Sequence, residues 1–206
     1  MKKTLVNRLQ QITEQNLADI EQAKAAGRSV IGFYCLYSPT EIAVAAEARK
    51  GALRSEDAHA ASRKRILLTG LPVGLGSDKV VKIVEQSGAD VVAFENCSGY
   101  KQAFTVDPEK DLLDALAAQY LATPCSVMSP NSGRFELLKA MIRSFAVDGV
   151  IDLTWQACHT YNVEAFRIAE FVQETCGLPS LHLETDYAES DSEQLRVRIE
   201  AYLEML

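Results

Sequence analysis

Two cysteines follow apolar runs that read as buried strands: Cys158, just after Gly149 to Thr154, and Cys97, just after Val91 to Glu95. In parallel α/β sheets the carboxyl ends of the strands form the crevice that binds ligands. Cys35 follows a third such run, Ser29 to Tyr34, and Cys125 lies in a Thr-Pro-Cys-Ser break after a helical stretch. Thiols converging on one crevice are soft ligands for a metal. The plainer alternative is that each packs as a small buried hydrophobe, the commoner fate of a single free cysteine. Cys176 precedes Gly-Leu-Pro at a helix end and reads as structural. The five cysteines include no CxxC pair, so neither a disulfide framework nor a zinc ribbon is indicated.

Other residues at these ends carry acid–base or anion chemistry. His159 adjoins Cys158, and an unperturbed imidazole titrates near neutrality, so it is a candidate proton carrier or helix cap. Glu95, Glu184 and Asp186 also sit at strand ends, where they serve either acid–base chemistry or capping. His182 lies within a strand pattern and reads as structural, and Trp155 as part of a wall. Gly70, Gly74, Gly76 and Ser77 form a glycine-rich turn between a strand and a helix, whose backbone N–H groups could hold a phosphate. The spacing matches neither a P-loop nor a dinucleotide fingerprint, since no Gly-Lys-Ser/Thr closes it and Lys79 replaces the third fingerprint glycine. A tight turn without a ligand is the competing reading.

The elements that position these groups alternate. Leu5, Leu9, Ile12, Leu17 and Ile20 mark one stripe of a surface helix that Gly27 closes. Strand 29–34 and a Ser38–Glu41 capping box with Pro39 at the first helical position follow. Residues 47–65 are charged and alanine-rich with no apolar face, as in a linker. Beyond them strands are expected at 65–69, 90–95, 149–154 and 180–184. Helices are expected at 77–87, 107–121, 131–145 and 162–175, and a last helix is opened by a Ser190–Glu193 capping box. Alternation of this kind predicts an α/β fold with a doubly wound parallel sheet of four to five strands, Rossmann- or flavodoxin-like, and an N-terminal helical appendage. The four main strands should lie in the order second, first, third, fourth, with 29–34 as a possible edge strand. The expected division is 1–50, a linker at 51–64, and the α/β domain at 65–206.

With 206 residues, 48% of them hydrophobic, the chain is long enough for one sizeable core. Its net charge of -7 opposes attraction to a polyanion, which argues against nucleic acid. The start has two lysines but no apolar segment behind them, and no window is long and apolar enough for a membrane span, so a cytoplasmic protein is expected.

The segments RILLTGLPVG, FENCSGY, SPNSGR, VDGVIDLTWQACHTYNVEAF and LETDYAESDSEQLRVRIEAYLEM, spread from Arg65 to the C-terminus, resemble the D-component family of 2-hydroxyacyl-CoA dehydratases. That family also contains benzoyl-CoA reductase subunits and double-cubane-cluster proteins, and the pairing of ENC with QACHTY is most similar to the last. VIGFYCLYSPTEIAVAAEA resembles the family's opening segment. Between the two, only a short charged stretch stands where members carry a long central region with further cysteines.

The resemblance implies an iron–sulfur protein that receives an electron from an ATP-dependent activator and eliminates water from a 2-hydroxyacyl-CoA by radical chemistry. It implies cluster-ligand positions at Cys97 and Cys158, and a third at Cys125. Ser126 and Leu71 stand where relatives have cysteines, which points to a single 4Fe–4S cluster rather than a double cubane. Cys35 is a possible fourth ligand from the residues themselves. The missing region implies a homodimer, through the helices of the first 50 residues, or a partner subunit. A noncatalytic relic or assembly protein, and an α/β domain binding a small anion such as the phosphates of acyl-CoA without a cluster, remain open alternatives. If the strands before Cys97 and Cys158 are adjacent, about 4.8 Å apart, the two sulfurs should lie on one sheet edge within roughly 10 Å, with Cys176 remote.

Overall fold

The computed structural model describes residues 63–73, 77–97, 101 and 111–206, with isolated positions between 15 and 26. It divides into two units, Met1–Asp57 with Phe104–Leu121, and Ala58–Ala103 with Ala122–Leu206. The expected strand 29–34, its capping box and Cys35 lie outside the described residues, as does most of the N-terminal segment expected to mediate dimerisation.

The larger unit is built on four strands: β1 (Lys64–Gly70), β2 (Ala89–Glu95), β3 (Gly149–Trp155) and β4 (Ser180–Thr185). All pairs are parallel and the order is β2-β1-β3-β4, as the alternation of elements predicts. Helix α1 (Lys79–Gln86) joins β1 to β2. Described helix α2 (Leu112–Ala122) falls almost wholly in the other unit; it starts where Asp111 Oδ1 accepts the N–H groups of Leu113 and Asp114. Helices α3 (Ser132–Ser144), α4 (His159–Cys176) and α5 (Ser192–Glu204) complete the chain.

The sheet has a helical layer on each face. Towards α3 and α4 it presents Leu67, Ala93 and Val150, which pack with Leu137, Leu138, Met141, Ile168 and Val172. The buried residues of α3, Arg134, Leu137, Leu138, Met141 and Ile142, recur every three to four positions, as do Tyr161, Ala165, Ile168 and Val172 of α4. The first member of each stripe is polar. Helices α1 and α5 pack together on the opposite face. There Lys79 is buried and its ammonium is committed to Asp191, 2.5 Å away, and to the Ala188 carbonyl.

Local signals were partly overruled. Gly177 ends α4 in the left-handed conformation (φ 67°), the role glycine plays at helix ends. Helix α4, however, starts at His159 rather than Asn162. The Ser190–Glu193 capping box does not form, because α5 begins at Ser192 and Ser192 Oγ donates to Glu189 instead. Asn131 precedes α3 without capping it, its amide being spent on Glu164. Strand β2 carries one extra residue relative to β1, so Ile66 pairs with Val91 but Leu67 with Ala93. That shift turns Ala93 and Glu95 towards α3 and α4, which strict alternation from Val91 would not do.

Candidate active site at the carboxyl edge

Two residues beyond the apolar band, the same strands place Glu95, Thr69 and Asp152 side by side, with His182 at the paired position on β4. All but His182 are fully or nearly fully buried. Arg134, from the first turn of α3, descends into this row. Its Nε donates to Glu95 Oε2 at 3.1 Å, one terminal nitrogen to Thr69 Oγ1 at 2.9 Å and the other to Glu164 Oε2 of α4 at 2.5 Å. Thr69 passes its own hydroxyl proton towards Glu95, and Lys101 forms an ion pair with the other Glu95 oxygen. Asn131 holds the second Glu164 oxygen at 2.8 Å, and the Arg134 guanidinium lies 5.0 Å from the centre of the Tyr161 ring. Burial works against the Arg134 charge, but Glu95, Asp152 and Glu164 more than offset it and hold the guanidinium protonated.

Asp152 is different. Both its carboxyl oxygens are buried with no hydrogen-bond partner, and burial lifts its pKa to about 7 against the pull of Arg134. Its Oδ1 lies 3.0 Å from where a Cβ on Gly70 would sit. Gly70 has φ 107°, and a side chain there would overlap the Leu153 carbonyl oxygen, so this turn requires glycine. The β1 and β3 ends that meet here are where the crossovers diverge, the switch point at which open α/β sheets bind ligands.

The thiols sit on the same edge. Cys97 follows β2 and its Sγ is 3.9 Å from the Tyr161 hydroxyl. A hydrogen bond with the Cys125 thiol is the main reason the Cys97 thiol titrates far above its ordinary range; burial adds to this, and Tyr161 and Lys101 oppose it. Burial, then the neighbouring Cys97 and Glu95, likewise keeps Tyr161 protonated. Two cysteines far apart in sequence thus meet beneath the start of α4.

Cys158 precedes α4 in a turn where Ala157 takes φ 66°, and its Sγ lies 3.8 Å from Thr160 Oγ1. The adjacency of its strand to that of Cys97 is not observed: β1 lies between β2 and β3, because the first crossover runs one way along the sheet and the second the other. The two thiols therefore share an edge but follow strands about 9.6 Å apart, two strand spacings. Among the described residues, no three His, Cys, Asp or Glu side chains are grouped to hold a metal ion. Cys176, at the far end of an 18-residue helix, is about 26 Å along the axis from its start.

His159 is exposed at the first position of α4. Of the glycine turn, Gly70 and Ser77 are described, while Gly74 and Gly76 lie outside the described residues. His182 is half-buried, 3.3 Å from Thr154 Oγ1, and burial lowers its pKa. Trp155 stacks on Tyr187 with ring centres 4.8 Å apart, a wall at the β3–β4 end of the edge. Sequence reasoning missed Arg134, Asp152, Tyr161, Glu164, Thr69 and Lys101. One signal was present: an aspartate inside the apolar run Val150–Leu153 is a buried charge that needs a reason.

No helix among the described residues is long and apolar enough to cross a membrane. A family model described as 2-hydroxyglutaryl-CoA dehydratase, D-component, matches residues 2–206. The chain is 46% identical over 145 residues, 70% of its length, to the Escherichia coli (strain K12) protein named "Putative dehydratase subunit YjiM". It is 27% identical over 145 residues, 69% of its length, to the (R)-phenyllactyl-CoA dehydratase beta subunit of Clostridium sporogenes. The matched stretch is 38% of the length of either relative. With that family model matching nearly the whole chain, the chain belongs to the 2-hydroxyglutaryl-CoA dehydratase D-component family.

Proposed function

We propose that this chain is a component of a 2-hydroxyacyl-CoA dehydratase-type enzyme whose carboxyl-edge thiols hold an iron–sulfur cluster. The observation that carries the reading is the meeting of Cys97 and Cys125 under Tyr161, with Cys158 opening the same helix. Paired soft thiols suit a cluster, whose binding would displace their protons. Cys97, Cys125 and Cys158 would be its ligands here, with Cys35 or a partner subunit completing the set. A single 4Fe–4S cluster fits this donor count better than a double cubane.

When bound, the cluster supplies one electron at a time to the thioester. The protein's own residues do the rest. Arg134 and Lys101 hold Glu95 beside Cys97 and fix the β2 end, a positioning role in place of the acid–base role the sequence suggests for Glu95. His159, exposed next to Cys158, would deliver the proton with which the hydroxyl leaves as water. The Gly70–Ser77 turn would receive the phosphates of the acyl-CoA through backbone N–H groups. The electron would come from an ATP-dependent activator, and a partner subunit or second copy would close the site, in keeping with the naming of both relatives as subunits.

Anaerobic reconstitution with iron and sulfide tests the core of this proposal. Wild type should bind iron and sulfide and develop a broad visible absorbance, Cys97→Ser and Cys158→Ser should lose most of it, and Cys176→Ser should match wild type. Equal iron in all four proteins would overturn the reading.

A further inference from the structure

Asp152 is the one member of the buried polar row that no described group satisfies. Glu95 has Arg134, Lys101 and Thr69, and Glu164 has Arg134 and Asn131. Every nitrogen of the Arg134 guanidinium is already engaged with one of these neighbours or with Thr69. Three carboxyl groups thus share two cations. The row balances electrically when one carboxyl carries a proton, and Asp152, the one without donors, is the carboxyl for which that costs least.

Among the described residues, the groups around Asp152 leave no other candidate for that proton. Strand β1 offers only Thr69 and Gly70; β2 offers Glu95, compensated by two cations; α3 offers Arg134, held protonated. Helix α4 offers Glu164, which is ion-paired, and Tyr161, held protonated; β4 offers His182, whose pKa is lowered by burial. Asp152 lies directly beneath the Gly70 turn, and Glu95, its neighbour across Thr69, precedes Cys97 by two residues. Charge arriving at the thiol edge therefore acts on a carboxyl already poised between its two forms.

We propose that Asp152 is a positioning residue that exchanges one proton with solvent and so compensates the charge of the carboxyl edge. The inference rests on the cluster reading above where it concerns electrons, and on the polar row alone where it concerns the proton. When a low-potential one-electron donor adds a negative charge at the edge, the Asp152 carboxylate takes a proton from solvent and becomes a neutral acid. One O–H bond forms on a carboxyl oxygen, one electron and one proton are gained, and the net charge of the site is unchanged. The titration of Asp152 near neutrality, driven by burial, makes this exchange available at ordinary pH.

Two measurements test it. Without any cluster, infrared difference spectra of the wild-type protein across pH 5 to 9 should show a protonated-carboxyl band that disappears around neutrality, about 7, and is missing in Asp152→Asn. Should Asp152→Asn not fold, the wild-type spectrum decides alone: no carboxyl band titrating near neutrality overturns the proposal. In the reconstituted protein, the midpoint potential should fall with rising pH by up to about 59 mV per unit, the value for one proton per electron. Asp152→Asn should lose most of that slope, a change that a merely structural aspartate would not produce, and equal slopes in both proteins would overturn the coupling. Failure of wild type to bind a cluster would sink the functional reading and the coupling with it, while the infrared titration would still decide whether Asp152 holds the proton.

Discussion

Under α3 and α4 the sheet carries two neighbouring bands built from the same three strands. The lower band, Leu67, Ala93 and Val150, is apolar and packs against Leu138, Met141 and Ile168. The upper band, two residues further along each strand, is Thr69, Glu95 and Asp152, closed from above by Arg134 and Glu164. Burial is nearly complete in both, yet one is held by non-directional contact and the other by charges whose partners must be in place. The helices obey the same division, since the buried stripes of α3 and α4 begin with Arg134 and Tyr161 and continue with aliphatic residues. A protein seeking only stability would continue the apolar band to the edge. The polar band therefore needs a reason other than stability, and it lies at the carboxyl end of the strands, where open α/β sheets in general bind ligands.

Breaking the upper band should cost most. Arg134→Leu leaves Glu95 and Glu164 without their shared cation, and a loss of about 5 kcal/mol in unfolding free energy is expected from denaturant titration, as for other buried pairs that lose one partner. It should also strengthen the hold of Asp152 on its proton, because Arg134 is the group that opposes the upward shift.

Next comes the pH dependence. Asp152 binds a proton more tightly in the folded protein than in the unfolded one, where its pKa is 3.8. Its contribution to stability is therefore full below about pH 4 and is lost as pH rises to about 7, at up to about 1.4 kcal/mol per unit and about 4 kcal/mol in all. Asp152→Asn should remove that decline, so that it gains on wild type progressively from pH 4 to 7 in urea titrations. A parallel pH profile in the two proteins would place Asp152 with the ordinary carboxylates.

The lower band should respond to size and not to pH. Leu138→Ala is expected to cost about 3 kcal/mol through lost burial and the cavity left behind. It should leave the Asp152 titration where it is in wild type, because no charge is altered. The smallest effect concerns the turn that presents Cys158. Ala157 occupies the left-handed region at φ 66°, so Ala157→Gly should relieve strain and raise stability by about 1 kcal/mol, observable as a small rise in Tm.

Much of the scaffold was legible because it follows from local periodicity. Runs such as Val91 to Phe94 and Gly149 to Thr154 can be satisfied only as buried strands, and their alternation with amphipathic helices implies parallel pairing by right-handed crossovers. The cysteines were legible as edge residues for the same reason. Capping was less so: Asn131 and Ser190 have cap-forming side chains, but a cap must compete with tertiary partners, and Glu164 took the amide of Asn131. The polar band was not legible at all as a unit. Arg134 entered only as the last letter of the segment SPNSGR and Asp152 as one polar letter in an apolar run, with nothing local to join them.

By itself, then, the sequence determined the order of elements, the parallel doubly wound sheet and the family, since each is carried by short-range pattern or by contiguous motifs. Tertiary structure alone decided which residues share the site. One extra residue in β2 rotates Glu95 to the face of Arg134, and the packing of α4 brings Tyr161 to Cys97. Such contacts join residues tens of positions apart, and their energies depend on burial and on the sum of nearby charges, quantities that exist only once the chain has folded.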